Sequence, residues 1–126
     1  DGDDLAETTE SLLELLSNTH DKIVFQTPYL VVHKKKVFND LRKENPEMEI
    51  IVSTNSLGAA DHFYAYAFSY KNKKHYVKKF EWQIHEMKPE PLDFSQMIYP
   101  VPQIERTKNH YACIHAKTYL FDNEIV

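Results

Sequence analysis

The sequence predicts an α/β protein in which a mainly parallel sheet is flanked by helices. Apolar runs rich in β-branched residues alternate with segments whose apolar residues recur at helical spacing. The order along the chain is α-β-α-β-α-β, followed by an extended segment and a final pair of strands. Alternation of this kind favours parallel strands joined by right-handed crossovers.

Three segments have the pattern of helices, over about residues 8–16, 33–44 and 61–80. The first is amphipathic, with leucines between glutamates, and the second is ended by a proline at position 46. Asp61 is placed to cap the third helix. This helix is dense in aromatic residues, which we expect to fill the core or an interface between lobes rather than to stack nucleic-acid bases.

Strands are predicted over residues 22–27, 49–54, 82–87 and 111–121, and a turn at Asp122 leads to a short strand over 124–126. Four prolines between positions 89 and 102 predict an extended, non-regular segment. Ligands of parallel sheets bind at the carboxyl ends of the strands. We therefore expect Pro28-Tyr29, Thr54-Asn55-Ser56 and the loop after His85 to share one rim.

Length and composition suit one compact lobe. The chain has 126 residues, 42% of them hydrophobic, and a net charge of -4, which does not favour nucleic acid as a partner. Acidic residues dominate up to position 21, and lysines cluster at 34–36 and 71–79. These clusters are either solvated helix faces or a rim that attracts phosphate or anionic lipid.

The two ends of the sequence and its single cysteine say little about the compartment. The chain starts without Met and stops inside an apolar stretch, so we expect residues 1–126 to be a C-terminally truncated lobe of a longer protein. No apolar run approaches the length of a membrane span. Cys113 has no second cysteine with which to form an internal disulfide.

The pattern H-x-K-x4-D is formed by His115, Lys117 and Asp122. On a strand, residues i and i+2 face the same side, so the imidazole and the ammonium would converge on one site. Lysine offers a compact positive charge to the oxygens of a phosphodiester, and a neutral imidazole can attack its phosphorus. Asp122 has the opposite parity on an unbroken strand, so it either shapes a turn or completes the catalytic set.

The same pattern occurs a second time, at His33, Lys35 and Asp40. These residues fall at the start of a predicted helix, where positions i and i+2 point about 200° apart. They cannot hold one phosphate together, and we interpret this second match as accidental.

The motif Ile114-His115-Ala116-Lys117-Thr118, with Asp122 after it, resembles the signature of the phospholipase D superfamily. Residues 27–31 and 54–57 precede it in an order that is similar to the second lobe of bacterial cardiolipin synthase-like members. The resemblance covers roughly residues 22–126. It differs from the family pattern in two respects: the sequence ends at Val126, before the place of the Gly-Ser-x-Asn element that usually continues the motif, and a tyrosine stands near position 66 where relatives often carry histidine.

The resemblance implies an α/β sandwich of two lobes, each giving one motif to a shared site. His115, Lys117 and Asp122 would be catalytic, Asn55 and Ser56 would contact the substrate, and the chemistry would usually need no metal or other cofactor. One histidine forms a covalent intermediate, and the other acts as acid and base. A second lobe, in cis or from another chain, would have to supply the partner motif.

Three functions follow from these patterns. The first is a phosphatidyltransferase or phosphodiesterase acting on phospholipid, membrane-associated in the parent protein, with the isolated fragment inactive. The second is a nuclease of the same superfamily, built from two one-motif chains, which the net charge disfavours. The third is a non-catalytic lobe used for assembly or regulation.

Overall fold

The computed structural model describes residues 2–60, 62–90, 113–122 and 124–125, and describes side chains from residue 10 onward up to residue 122 within these ranges. The described helices are α1 (Gly2–Asn18), α2 (Lys35–Glu44) and α3 (Phe63–Lys79), with a 3₁₀ turn over Leu57–Ala59. The described strands are β1 (Lys22–Gln26), β2 (Glu49–Asn55), β3 (Gln83–Met87), β4 (Thr118–Phe121) and β5 (Glu124–Ile125).

The strands form one sheet in the order β3-β2-β1-β4-β5. β1 is parallel to β2 and β2 is parallel to β3, whereas β4 is antiparallel to β1 and forms a hairpin with β5. The predicted α/β class is confirmed, and the parallel pairing is confined to β1, β2 and β3. Both crossovers, through α2 and α3, step in the same direction across the sheet, and right-handed crossovers then place both helices on the same face.

The core lies on that one face of the sheet. Register pairs Ile23 with Ile50 and Phe25 with Val52, and all four side chains are buried. The helices contribute further core residues to this cluster, among them Leu16 of α1, Leu41 of α2 and Tyr76 of α3. On the opposite face, the side chains at alternate positions of β1, β2 and β4 are only half-buried. The described helices therefore cover one face of the sheet.

Trp82 is the centre of an aromatic cluster. Its ring lies 5.0–6.0 Å, centroid to centroid, from those of Phe25, Phe38, Tyr76 and Phe80. These residues come from β1, α2, α3 and the turn after α3. Each aromatic pair adds about 0.5–1.5 kcal/mol beyond its buried area, so the cluster fastens both crossover helices to the sheet.

Arg42 joins α2 to the loops at the amino end of the parallel strands. Its Nε donates to the carbonyl of Phe80 at 3.0 Å, and its Nη1 donates to those of Pro46 and Met48, each at 2.9 Å. Glu81 lies beside the same guanidinium at 3.7 Å. A planar donor fork of this kind satisfies several carbonyls that lie outside regular structure.

The aromatic residues of α3 divide into two sets. Tyr76 is fully buried, as predicted, and its hydroxyl accepts a hydrogen bond from the Val32 N–H. Phe63, Tyr64, Phe68 and Tyr70 are instead 50–80% exposed. These four positions lie on the side of the helix that faces away from the sheet, so the four side chains do not fill the core. The other predicted role of the aromatics, an interface between lobes, stays a prediction for them.

Several predicted boundaries shift. α1 extends further in both directions than residues 8–16. The N-cap of α3 is His62, which makes no side-chain capping bond, and Asp61 lies outside the described residues. β4 begins at Thr118, so the predicted strand over 111–121 is shorter, with residues 113–117 irregular and 111–112 outside the described part. The proline-rich segment lies outside it from residue 91 to its end.

Candidate functional site

The carboxyl ends of the parallel strands lie along one edge of the sheet. β1 ends at Gln26, β2 at Asn55 and β3 at Met87. Because β4 is antiparallel to β1, it begins where β1 ends, and Thr118 is paired with Gln26. Lys117 and His115 come directly before Thr118. The topology therefore brings the predicted catalytic pair to the edge at which α/β sheets bind ligands.

Hydrogen bonds join the loops that leave this edge. The Thr54 Oγ1 and the Asn55 Nδ2 both donate to the carbonyl of Pro28, at 3.5 Å and 3.3 Å. The Ser56 N–H donates to the Met87 carbonyl at 3.0 Å. The three segments predicted to form one rim are thus in direct contact.

Asn55 anchors the segment that carries the motif. Its Oδ1 accepts from the Ile114 N–H at 2.7 Å, and its Nδ2 donates to the Ile114 carbonyl at 2.9 Å. Asn55 is 2% exposed, and Ile114 is also buried. A side-chain amide that bonds to both backbone groups of one residue reproduces the pairing of a neighbouring strand. It fixes the residue that immediately precedes His115.

His115 and Lys117 are exposed, and so is Ala116 between them. Among the residues that the structure describes, neither the imidazole nor the ammonium makes a hydrogen bond or an ion pair. The expected strand does not extend through this segment, so the prediction that the two side chains share one strand face is wrong. His115 and Lys117 lie two positions apart on a short segment that is held at Ile114 by Asn55 and at Thr118 by the pairing of β4 with β1.

Ser56 follows Asn55 at the same rim. Its hydroxyl is buried and has no hydrogen-bond partner within the described ranges. Asn55, in contrast, uses its amide fully on backbone groups. The prediction that these two residues bind substrate stays a prediction, and the observed contacts of Asn55 are those of an anchor.

Asp122 lies at the other end of β4. Its carboxylate accepts backbone N–H bonds from His20 at 3.1 Å, Asp21 at 3.0 Å and Lys22 at 2.8 Å. Hydrogen bonds from the N–H groups of Lys22 and His20 lower the pKa of Asp122. Its φ of 49° is in the left-handed region, which aspartate tolerates in turns. The structure therefore does not bring Asp122 to His115 and Lys117; it holds the loop that enters β1.

The second match to the pattern is divided by the start of α2. Lys35 is the first residue of α2, whereas His33 precedes the helix. The Lys35 ammonium donates to Asn72 Oδ1 of α3 at 2.6 Å, so it links two helices. This supports the interpretation that the second match is accidental.

One residue at the rim was missed in the sequence. His62, the N-cap of α3, packs edge-on against Tyr29 with ring centroids 6.2 Å apart. Its position just after the turn that follows β2 is the only signal in the sequence that could have placed it here. The contact puts the start of α3 beside the loop that leaves β1.

Comparison with known proteins adds no relatives: no protein-family model, curated protein or solved structure matches this chain. Within the described residues, no helix combines the length and the apolar character needed to cross a bilayer.

Proposed function

We propose that this chain is one lobe of a phospholipase D-like protein that transfers or hydrolyses the phosphodiester of a phospholipid, as a cardiolipin synthase-like phosphatidyltransferase does. The supporting observation is the placement of His115 and Lys117 at the carboxyl edge of the sheet, both exposed. The Asn55 anchor gives this placement a structural cause.

The proposed chemistry proceeds in two displacements. A histidine nitrogen attacks phosphorus, the P–N bond forms, and the P–O bond to the leaving alcohol breaks while a second histidine gives that alcohol a proton. The second histidine then takes a proton from water or an acceptor alcohol, whose oxygen attacks phosphorus as the P–N bond breaks. Lys117 would stabilise the charge that develops on the non-bridging oxygens.

The second histidine is proposed to come from another lobe, in the same chain or in a second copy. His115 can serve as the nucleophile or as the acid and base. In both roles it needs an imidazole that substrate can reach, and His115 is exposed, as is Lys117 two positions further on. Asp122 takes no part in the proposed steps, because its carboxylate is engaged at the opposite end of β4.

The test is to trap a covalent adduct on the protein that holds this lobe and its partner lobe. The substrate is phosphatidylglycerol, and intact-mass spectrometry compares wild type with His115→Ala. Loss of adduct and product assigns His115 as the nucleophile. An adduct that accumulates while product formation stops assigns it as the acid and base.

His33→Ala is the matched control, because it removes the histidine of the second match to the same pattern. It should leave both adduct and product unchanged. Lys117→Gln should lower the rate of adduct formation by about 10²–10³, the usual effect of losing one group that stabilises transition-state charge. Unchanged adduct and product in His115→Ala would overturn the proposed function.

A further inference from the structure

Helix α3 has an exposed face formed by two kinds of residue. We call it the aromatic–lysine face; its members are Phe63, Tyr64, Phe68, Tyr70, Lys71, Lys74 and Lys78, all exposed. At about 100° per residue they fall within an arc of about 160°. The buried residues Ser69 and Tyr76 lie on the opposite side of the helix. The exposed aromatics therefore form one continuous surface.

The charge of this helix is opposite to that of the chain. Residues 63–79 contain five lysines and no acid, in a chain whose net charge is -4. Among the residues that the structure describes, Lys73 is the one lysine of this helix in an ion pair, and its partner is Glu86. Burial alone would lower the pKa of Lys73, but the pairing with Glu86 raises it. The other lysines of α3 are exposed, so the face presents its charge to solvent.

The two kinds of residue are separated along the helix axis. The aromatics occupy positions 63–70, and the lysines of the face occupy positions 71–78. The aromatic half begins at the candidate site, because His62 contacts Tyr29 at the carboxyl edge of the sheet. Leu57, which is 52% exposed, adds apolar surface to the turn that precedes α3.

We propose that the aromatic–lysine face docks this chain on an anionic lipid bilayer. Exposed aromatic side chains, tyrosine in particular, favour the boundary between headgroups and acyl chains. Lysines beside them attract anionic headgroups, as in helices that lie in a membrane interface. A bilayer is favoured over nucleic acid because base-stacking aromatics usually lie on sheets next to a basic groove, whereas here they lie on a helix of an acidic chain.

This inference names a surface for the proposed lipid chemistry, but bilayer binding can be measured without turnover. The first experiment is co-sedimentation of the chain with vesicles of phosphatidylglycerol and phosphatidylcholine in equal parts. Binding should weaken as salt is raised and should be lost on pure phosphatidylcholine. His115→Ala should bind as wild type does, so the docking surface and the catalytic proposal can fail separately.

Charge variants test the lysine half. Each lysine near an anionic surface strengthens binding roughly fivefold, so Lys71→Gln with Lys74→Gln should weaken it about 25-fold. The charge-matched control is Lys36→Gln with Lys43→Gln, which removes two exposed lysines of α2. This control should stay close to wild type.

Aromatic variants test the other half. Phe63→Ser and Phe68→Ser should each weaken binding about tenfold or more, because each removes a ring that the bilayer would bury. Leu13→Ser on α1, where the leucine is 36% exposed, is the control. Quenching of Phe68→Trp fluorescence by brominated lipids measures how deeply position 68 enters the bilayer. The native background is small, because Trp82 is the only native tryptophan and is 3% exposed.

Quenching of the tryptophan introduced by Phe68→Trp, together with losses confined to the face variants, is the expected result. Equal binding by face and control variants would overturn the inference, as would equal binding to pure phosphatidylcholine. Tighter binding to a single-stranded oligonucleotide than to the vesicles would also overturn it. Thermal unfolding of each variant, monitored by circular dichroism, shows that the fold is retained.

Discussion

Replacing Asn55 by alanine tests whether one side chain holds the motif segment in place. The change removes three hydrogen bonds: two to Ile114, at 2.7 Å and 2.9 Å, and one to the Pro28 carbonyl at 3.3 Å. The Pro28 carbonyl keeps a contact with Thr54 Oγ1, but both backbone groups of buried Ile114 lose the partner. Each buried group left without a partner costs about 1–3 kcal/mol, so the two groups of Ile114 predict a loss of about 2–6 kcal/mol in the free energy of unfolding.

The measurements are urea unfolding and amide hydrogen exchange. Asn55→Ala should lower the free energy of unfolding by the amount above and should speed exchange of the Ile114 N–H more than that of the β2 amides. Thr54→Val is the matched control, because it removes a buried polar group that contacts the same carbonyl without touching Ile114. It should cost less than about 1 kcal/mol, since its bond is long at 3.5 Å.

Asn55→Asp separates shape from hydrogen bonding. The new side chain can accept from the Ile114 N–H, but when ionised it faces the carbonyl oxygens of Ile114 and Pro28. Burial would raise the pKa of the introduced carboxyl, so its folded pKa lies above the unfolded value of about 3.9. The destabilisation is then small below that pH and grows as pH rises through the folded pKa.

A stability loss in Asn55→Ala no larger than that of Thr54→Val, with unchanged exchange of the Ile114 N–H, would refute the proposal that Asn55 holds the motif segment.

Three further changes have defined outcomes. Asp122→Asn should lower the free energy of unfolding by only about 1 kcal/mol near neutral pH, because solvent screens the charge of this half-buried carboxylate. Since the pKa of Asp122 is lowered in the folded protein, the difference from wild type should shrink as pH falls below about 4. Urea unfolding at pH 7 and pH 3 checks this. Tyr76→Phe should lower the free energy of unfolding by about 1 kcal/mol, because the Val32 N–H loses its acceptor. A melting temperature equal to that of wild type would contradict this. Lys73→Met should destabilise more than the exposed Lys74→Met, because it leaves the half-buried Glu86 carboxylate without its cation, and the two melting temperatures test this.

The order of the elements could be read from the sequence, because periodicity depends only on local pattern. The runs that became β1 and β2 are short, apolar and rich in β-branched residues. The helix between them, α2, carries Val37, Phe38 and Leu41 at helical spacing. Parallel pairing follows from that alternation. The antiparallel pairing of β4 with β1 could not be read in the same way, because it joins residues about 95 positions apart and depends on the whole sheet.

The exposure of the α3 aromatics was unpredictable for a related reason. Aromatic residues occur on nearly every side of this helix, so its apolar pattern does not select the buried face. The choice is made by Tyr76 and by Ser69, which is buried although it is polar. With Ser69 and Tyr76 on the buried side of the helix, Phe68 and Tyr70 fall on its exposed side.

The spacing of the H-x-K-x4-D pattern acquires a physical meaning from β4. The four unspecified residues after Lys117 are Thr118–Phe121, the whole of that strand. At about 3.3 Å per residue, Lys117 and Asp122 are separated by about 16 Å along the chain, more than a carboxylate and an ammonium can span on one phosphate. The pattern therefore joins two edges of the sheet: the histidine and lysine lie where ligands bind, and the aspartate closes the loop that enters β1. Asp122 can have the opposite parity because it does not share a site with Lys117, and its carboxylate is free to accept from the backbone amides of the loop that it closes.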